Sequence, residues 1–446
     1  MKSAIATVAA LVLGGLAFLP TTAQANPIDA FGFGARAGAM AGTQTAANDD
    51  VGANYYNPAI LATFEDITLD IGYQIAFPSL RVSDEDLGVE KSRGMTAGIV
   101  GPGKIAGRRV AIGAAFYLPD QHLNRTRTLS SQQPRFVVYD NRPQRIFMSA
   151  NLALEITDRL FVGGGLAYMS RSEGTVGLDG RIDPAVADLS ELELDMNIDL
   201  KSIRYVHGGL FFKANPWLDI GASYRGGFAL TLDQIFRING DIGAAGENPI
   251  VADGFFELHT VSQDLFQPEE FTIGLDAQLT PRLSLAFDVG LHRWSAFENP
   301  AARIAIDLDI GSFNDQVNLP PAPQLPVARF SDIVIPRVAV EWSALSKRQM
   351  EVMVRGGYVY EPSPVSWQLG ETNFIDNDKH TVSLGGGLIL REVTEVLLRP
   401  MSIDLGLAMT MLEPQLHSKI SPSDSVGSYR SSGRIVTGSI STRWHF

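Results

Sequence analysis

The chain of 446 residues contains no cysteine. This absence excludes disulfide bonds, thiolate metal sites, cysteine nucleophiles and lipidation of an N-terminal cysteine. Basic residues are also few, since 36 lysines and arginines oppose 49 acidic residues and leave a formal net charge of -13. We therefore expect no nucleic-acid partner, because binding a phosphate backbone requires a basic surface.

Long hydrophobic runs are missing after the first 25 residues. At the start, Lys2 precedes the apolar run Ala4–Leu19, and Ala23–Ala25 forms an A-x-A cleavage site. This pattern predicts a secretory signal peptide over residues 1–25 and a mature chain that starts at Asn26. A membrane anchor is the alternative, which the shortness of the run and the small residues after it disfavour. Without a later stretch of about 18 apolar residues, a helical membrane protein is excluded.

Motifs of catalysis are absent as well. The sequence has no G-x-S-x-G elbow, no H-E-x-x-H pair and no cluster among its seven histidines. We therefore predict that the protein is not an enzyme and that it uses no cofactor and no metal.

The dominant pattern that is present has a period of two. In Leu283–Leu291 every second residue is apolar, and the residues between them are small or polar. The preceding run, Ile273–Leu279, repeats the scheme, and Thr280-Pro281 between them predicts a tight hairpin. Strict alternation fits a soluble sandwich with an apolar interior. It fits equally a membrane barrel whose apolar face meets lipid.

Connection lengths separate these two possibilities. Short turns, such as Thr157-Asp158 and Thr280-Pro281, alternate with long polar loops near residues 80–92, 119–143 and 295–331. Periplasmic turns and extracellular loops of outer-membrane barrels show this asymmetry, and several strands exceed the 9–11 residues needed to cross a bilayer. We predict an all-β fold over residues 67–446, a transmembrane antiparallel β-barrel of about 14 strands. One wall strand is expected to begin near residue 255.

Residues 26–66 differ from the barrel pattern. Gly32, Gly34 and Gly38 lack the spacing of a nucleotide-binding loop, and no strand precedes them. Asn57-Pro58 is a good helix start, with the asparagine as cap and the proline in the first turn. We predict a small N-terminal hatch of short helices that plugs the lumen. A disordered tail is the alternative.

Four stretches together resemble the FadL family of outer-membrane transporters for long-chain fatty acids and other hydrophobic compounds. The hatch matches through Gly38, Asp49-Asp50 and Asn57-Pro58-Ala59. The other three stretches are Pro268–Phe297, Val354–Ser366 and Asp376–Leu388. The resemblance implies a monomeric fourteen-stranded barrel in the bacterial outer membrane. It implies passive uptake of a fatty acid or aromatic hydrocarbon, with capture outside, transfer to a lumen pocket and hatch-gated lateral release.

The candidate site residues follow from this resemblance and from the alternation. Hatch gating is assigned to Gly52, Asn57, Pro58 and Ala59. Ligand binding is assigned to Arg225, Arg355, Ser363, Pro364, Val365 and His380. The arginines, with Arg391, can bind a ligand carboxylate or pair with the lumen acids Glu155, Asp276, Asp288 and Asp404. Asp376, Asp378 and His380 resemble an oxygen-rich cation site or a purely structural loop.

Further partners rest on two other features. The chain ends in Phe446 after an alternating strand, which resembles the assembly signal recognised by the barrel assembly machinery. The loop of residues 119–145 is rich in arginine, which fits contact with lipopolysaccharide or outer-membrane lipid, attraction of a fatty acid, or simple solvation. Two other functions stay open. They are a polar-solute porin and an adhesive or structural barrel.

Overall fold

The computed structural model describes residue 28 and the ranges 31–47, 49–121, 133–140, 145–182, 191–242, 251–297, 303–311, 314, 329–370, 372–392, 399–422 and 424–446. In this part of the chain, no helix has the length and apolar character required to span a membrane.

Fourteen antiparallel strands form the wall of a closed barrel, as predicted. Each wall strand pairs with the next along the chain, and the last pairs with the first over its whole length. The backbone N–H of Phe446 donates to the carbonyl of Ile67 at 2.9 Å and completes this seam. The strands are β1 Thr68–Val82, β2 Ser92–Ile105, β3 Arg108–Pro119, β4 Phe147–Thr157, β5 Leu160–Ile182, β6 Glu191–Asn215, β7 Leu218–Arg225, β8 Glu270–Thr280, β9 Leu283–His292, β10 Ile333–Ser346, β11 Met350–Glu361, β12 Lys379–Leu390, β13 Met401–His417 and β14 Tyr429–His445.

The apolar side of each strand faces outward. On β9, Leu285 and Phe287 are 41% and 43% exposed, whereas Ala286 and Asp288 between them are buried at 1%. This inversion of the usual burial pattern is typical of a barrel in lipid, since the outer face of the wall contacts lipid instead of water. The short connections lie at one end, which is therefore periplasmic, and the long ones at the other.

One strand assignment was wrong. Val251–Gln267, the strand expected to begin near residue 255, is not part of the wall, because β7 pairs directly with β8. It pairs instead with Phe228–Ile242 and Arg303–Asp309, and the three strands form what we call the outer ribbon. The ribbon joins the extracellular extension of β5 through a parallel pairing of residues 234–242 with residues 174–182. The segments 270–280 and 283–292 are separate wall strands joined by the predicted hairpin.

The wall is low where the ribbon leaves it. The strands β7, β8 and β9 end at Arg225, Glu270 and His292, level with one another in the ladder. Neighbouring β6 continues well beyond this level, pairing with β5 up to Glu191. The ring of Tyr205, on the inner side of β6, stacks on Phe228, the first residue of the ribbon, at 5.3 Å. The ribbon therefore starts over the barrel mouth.

Among the described residues of the N-terminal segment, three short helical segments lie in the lumen. They are α1 Ala35–Ala39, α2 Ala53–Tyr56 and a 3-10 segment, Pro58–Thr63. The first packs against β12 and β13, and the third against β4 and β5, so the hatch touches opposite parts of the wall. Other short elements at the extracellular end are the strands Glu85–Asp86, Arg135–Phe136 and Phe374–Ile375, the helix Val137–Asp140 and the 3-10 turn Trp294–Ala296.

Inward-facing glycines of the wall make room for the hatch. A Cβ atom added to Gly163 would lie less than 3.0 Å from backbone atoms of Pro58 and Ala59, which a real side chain cannot do. A Cβ atom on Gly357 would meet the backbone of Met40 in the same way. The wall and the hatch therefore fit closely, backbone against backbone. Other glycines in this contact are Gly98, Gly113, Gly209, Gly221, Gly274, Gly385 and Gly406.

Candidate functional site

Asn57 joins the parts of the hatch to each other and to the wall. It is fully buried, and its Oδ1 accepts a hydrogen bond from the N–H of Ala59 at 3.2 Å, which makes it the predicted cap. Its Nδ2 donates to the carbonyl of Thr45 at 2.8 Å and to the carbonyl of Leu210 on β6 at 3.0 Å. Pro58 opens the 3-10 segment beside it.

Gly52 is the N-cap residue of helix α2, and its backbone conformation does not require a glycine. Its φ is -59°, a helical value that any residue adopts. Its N–H donates to Oδ1 of Asp50 at 2.6 Å. Burial raises the pKa of the Asp50 carboxyl, and the nearby Arg443 and Arg36 offset this only in part.

A buried ionic network ties the hatch to β10, β11, β13 and β14. Arg36 of the hatch lies 3.3 Å from Glu341, and at the edge of the network it lies 3.1 Å from Asp49, whose side chain is exposed. Arg443 of β14 lies 2.9 Å from Asp404. Removing one partner from such a network leaves an uncompensated charge, at a cost of about 3 to 5 kcal/mol. Further members are Asp50 and Asp70 beside Arg443, and Arg355 between Glu341 and Asp404.

A second wall contact involves Asp288, a lumen acid identified from the sequence. Its Oδ2 accepts hydrogen bonds from the N–H groups of Gln44 and Thr45 at 3.0 and 3.1 Å, and from the Thr45 hydroxyl at 2.9 Å. The carboxylate therefore anchors the hatch loop before α2.

The two arginines assigned to ligand binding lie in the lumen and have protein partners. Arg225 stacks on the ring of Tyr55 at 3.8 Å, donates to its hydroxyl at 2.8 Å and pairs with Glu270 at 3.1 Å. Arg355 pairs with Glu341 and Asp404. Both arginines thus hold protein groups together, and a ligand carboxylate would have to compete with these groups.

Ser363, Pro364 and Val365 form a loop at the barrel mouth. The N–H of Ser363 donates to Oδ1 of Asp378 at 2.8 Å, and Val365 pairs with Phe330 across the mouth. Val365 packs against an apolar cluster described below, so this loop borders the entry to the lumen.

The residues of the suspected cation site point to different partners. Asp376 lies 2.8 Å from Lys379, and Asp378 accepts from the Tyr360 hydroxyl at 2.8 Å. His380 lies on the outer face, 2.6 Å from Glu413. Within the described residues, no group of His, Asp and Glu side chains is arranged to hold a metal ion. The structural role of this loop accounts for all three contacts.

The arginine-rich loop is described only in part. Arg145 is fully buried and donates to the carbonyl of Ser170 at 2.6 Å, so it contributes no surface charge. Arg135 lies in a short parallel strand pair with Phe374. The remaining arginines of this prediction, Arg125, Arg127 and Arg142, lie outside the described residues.

An aromatic cluster, which we call the mouth cluster, lies above the hatch. The rings of Phe266 and Phe297 stack at 4.7 Å, and Phe297 meets Phe330 at the same distance. Trp294 and Phe374 extend the group, and Phe31 of the hatch packs against it. An apolar surface of this size at the extracellular end suits the capture of a hydrophobic molecule.

A cavity of about 160 Å³ lies between hatch and wall. Hatch residues, including Phe31 and Tyr56, line one side, and charged wall residues line the other. Burial raises the pKa of the Tyr56 phenol to about 12. The charged lining groups are Arg225, Glu270, Asp288, His292, Arg337 and Glu361.

Arg337 has no ion pair within the described part of the chain, unlike Arg225. Two of the cavity carboxylates have cationic partners, since Glu270 pairs with Arg225 and Glu361 lies 3.0 Å from Lys379. The third, Asp288, lies opposite Arg337 in the ladder and accepts hydrogen bonds from the hatch. Sequence reasoning missed Arg337. In β10 it lies two residues after Ile335 and two before Ala339, both of which face inward, so the two-residue period of the strand marks it as a lumen residue.

A second opening adjoins this cavity from outside. A cleft of about 530 Å³ lies above β7, where residues 204–206, Gly226-Gly227 and Phe266 meet. Tyr224 borders both the cleft and the cavity, and its hydroxyl donates to Glu269 at 2.7 Å. Tyr224 therefore lies between the cavity and the cleft, at the level where β7 ends.

The closed barrel, the hatch and the enclosed cavity define an outer-membrane transport barrel. A family model described as "Outer membrane protein transport protein (OMPP1/FadL/TodX)" matches residues 16–318, and the chain belongs to this family. Its members are transport channels rather than enzymes, and the protein resides in the bacterial outer membrane.

Individual relatives agree with this assignment. Alkane uptake protein A of Marinobacter nauticus is 29% identical over 164 residues, which are 36% of this chain and 33% of that protein. The chain thus spans about a third of the length of this curated relative. A crystal structure of a Pseudomonas aeruginosa FadL homologue aligns over 93% of this chain and 98% of its own, with 13% identity and a TM-score of 0.60. For the Pseudomonas putida toluene transporter TodX, the values are 93%, 99%, 16% and 0.55. The two structures establish the fold.

Proposed function

We propose that the protein takes up hydrophobic compounds by passive diffusion, and that long-chain fatty acids are its main substrate class. The observation that carries this proposal is the arrangement of Arg337. Its guanidinium, which forms no ion pair among the described residues, lies in the cavity between β10 and the hatch, while an apolar mouth cluster lies toward the outside. A molecule with a long apolar tail and a carboxylate matches both regions.

The remaining steps follow from the geometry of the hatch and wall. Residues 26–66 act as the hatch, and Gly52 and Asn57-Pro58-Ala59 hold it in the docked position. When the hatch shifts, ligand in the cavity can pass Tyr224 into the outer cleft and from there into the bilayer. Two findings support this route, the shared border at Tyr224 and the low wall above β7.

Uptake by proteoliposomes tests the proposal. With labelled oleate as probe, Arg337→Gln should lower the uptake rate about tenfold, since a charged hydrogen bond contributes about 1.5 to 3 kcal/mol. Hexadecane, which has no charge, should enter at an unchanged rate. Arg329→Gln, an exposed arginine at the mouth, is the matched control. Equal oleate uptake by wild type and Arg337→Gln would contradict the role of Arg337.

The same assay separates the other functions. Because one relative is alkane uptake protein A, an alkane is the alternative substrate. Rapid uptake of hexadecane without uptake of oleate would indicate this alternative. Large ion conductance of the intact protein would instead indicate a polar-solute porin. Absence of uptake of both probes would favour an adhesive or structural barrel.

A further inference from the structure

Three arginines lie side by side on the outer face of the barrel, at the extracellular ends of β1 and β14. We call Arg81, Arg430 and Arg434 the rim arginine cluster. Arg81 is paired with Ser432, so Arg430 and Arg434, two residues to either side of Ser432 on β14, both lie diagonally across the seam from Arg81. All three side chains are exposed. They share the outward side of these strands with the lipid-facing residues.

The three arginines form no ion pair in the described part of the chain. Among the described residues, no carboxylate lies within 4.0 Å of any of its three guanidinium groups. Asp86 lies opposite Arg81 in the short hairpin, but its carboxylate accepts a hydrogen bond from Ser79 at 2.8 Å. Glu413 pairs with His380 instead. Adjacent like charges repel one another. These three positive charges nevertheless lie together in a protein whose net charge is -13.

An apolar band begins directly below the cluster. Phe77 is 42% exposed and Val436, its partner across the seam, is 40% exposed. Phe77 lies four residues before Arg81, about 13 Å along the strand. Lys91 adds a further positive charge, with its ammonium group 5.3 Å from the Phe77 ring. A charged head and an apolar surface thus follow each other along the outer face.

We infer that this surface binds the phosphorylated headgroup of lipopolysaccharide in the outer leaflet. Guanidinium groups bind phosphate through two parallel hydrogen bonds, and three of them can serve two phosphates. The acyl chains of the same lipid lie along Phe77 and Val436. Because the cluster faces outward, this site is separate from the lumen and from the route of the transported compound.

Binding of bisphosphorylated lipid A to the detergent-solubilised protein tests the inference. The triple variant Arg81→Gln, Arg430→Gln and Arg434→Gln should bind lipid A at least tenfold more weakly. The matched control replaces three exposed arginines of the periplasmic turns by glutamine and should bind like wild type. The control positions are Arg159, Arg282 and Arg348.

Two further probes identify the recognised chemistry. Dephosphorylated lipid A should bind weakly to the wild type, and inorganic phosphate should bind far more weakly than lipid A. The inference is overturned by any of three results: unchanged lipid A binding in the triple variant, equal binding of dephosphorylated lipid A, or inorganic phosphate binding as tight as lipid A. If the triple variant fails to form a heat-modifiable barrel, Arg430→Gln alone is expected to weaken binding measurably.

Discussion

Replacement of Asn57 by alanine should release the hatch without unfolding the barrel. The substitution removes three hydrogen bonds of a fully buried side chain, to Ala59, Thr45 and Leu210. Two of these bonds lie within the hatch and the third reaches the wall. Helical segments of 4 and 6 residues do not persist in isolation, so undocking breaks all three bonds. At about 1 kcal/mol for each bond, the docked state loses about 3 kcal/mol. Since 1.4 kcal/mol corresponds to a factor of ten, the undocked population should rise on the order of 100-fold. The wall ladder of fourteen strands is unaffected.

The absence of cysteine provides a clean assay for this change. A single Ala62→Cys substitution introduces a thiol at a position of the hatch that is 1% exposed. Its alkylation by a maleimide requires undocking, so the alkylation rate should rise by the same factor of about 100 in the Asn57→Ala background. Heat-modifiable migration confirms that the barrel is folded.

Two controls limit the interpretation. Asn57→Ser retains an oxygen that can accept from Ala59 and should accelerate alkylation less than Asn57→Ala does. Asn215→Ala removes a half-buried cap of a periplasmic turn, far from the hatch, where Oδ1 accepts from the N–H of Trp217, and should leave the rate unchanged. An Asn57→Ala protein that reacts as slowly as the parent would refute the view that Asn57 holds the hatch.

Two further predictions concern the docked hatch. Gly163→Ala should accelerate the same alkylation at least tenfold, because the new Cβ atom meets the backbone at Pro58, whereas Gly103→Ala, whose Cβ meets Val110 at 3.7 Å, should not. Because burial raises the pKa of Tyr56 to about 12, docking should be intact below pH 10 and weaken as the pH rises toward 12. A titration followed by tyrosinate absorbance checks this prediction, because Tyr56→Phe should remove one transition near pH 12. If the transition that the substitution removes lies near pH 10, Tyr56 is not buried as described.

The barrel could be predicted from sequence because its signals are local. Alternation in Leu283–Leu291 specifies one strand and its lipid face, and the two-residue turn before it specifies the hairpin. The strand predicted to begin near residue 255 exists as Val251–Gln267, but it lies outside the wall. Its true place depends on the pairing of β7 with β8, a contact between segments more than 40 residues apart that no local pattern encodes.

The site was harder to predict because its residues acquire their roles across the lumen. From sequence, Arg355 and Arg337 are equivalent, since both are inward-facing cations on neighbouring strands. The fold places Glu341 and Asp404 on either side of Arg355, whereas Arg337 is left without an ion pair in the described chain beside the hatch. An arginine that neutralises buried acids stabilises the docked hatch, and one that lacks a partner is available to a ligand. Among the described arginines of the lumen, Arg36 and Arg355 thus hold the hatch in place through ion pairs, whereas Arg337, which forms none, is the arginine that we propose to bind a ligand carboxylate.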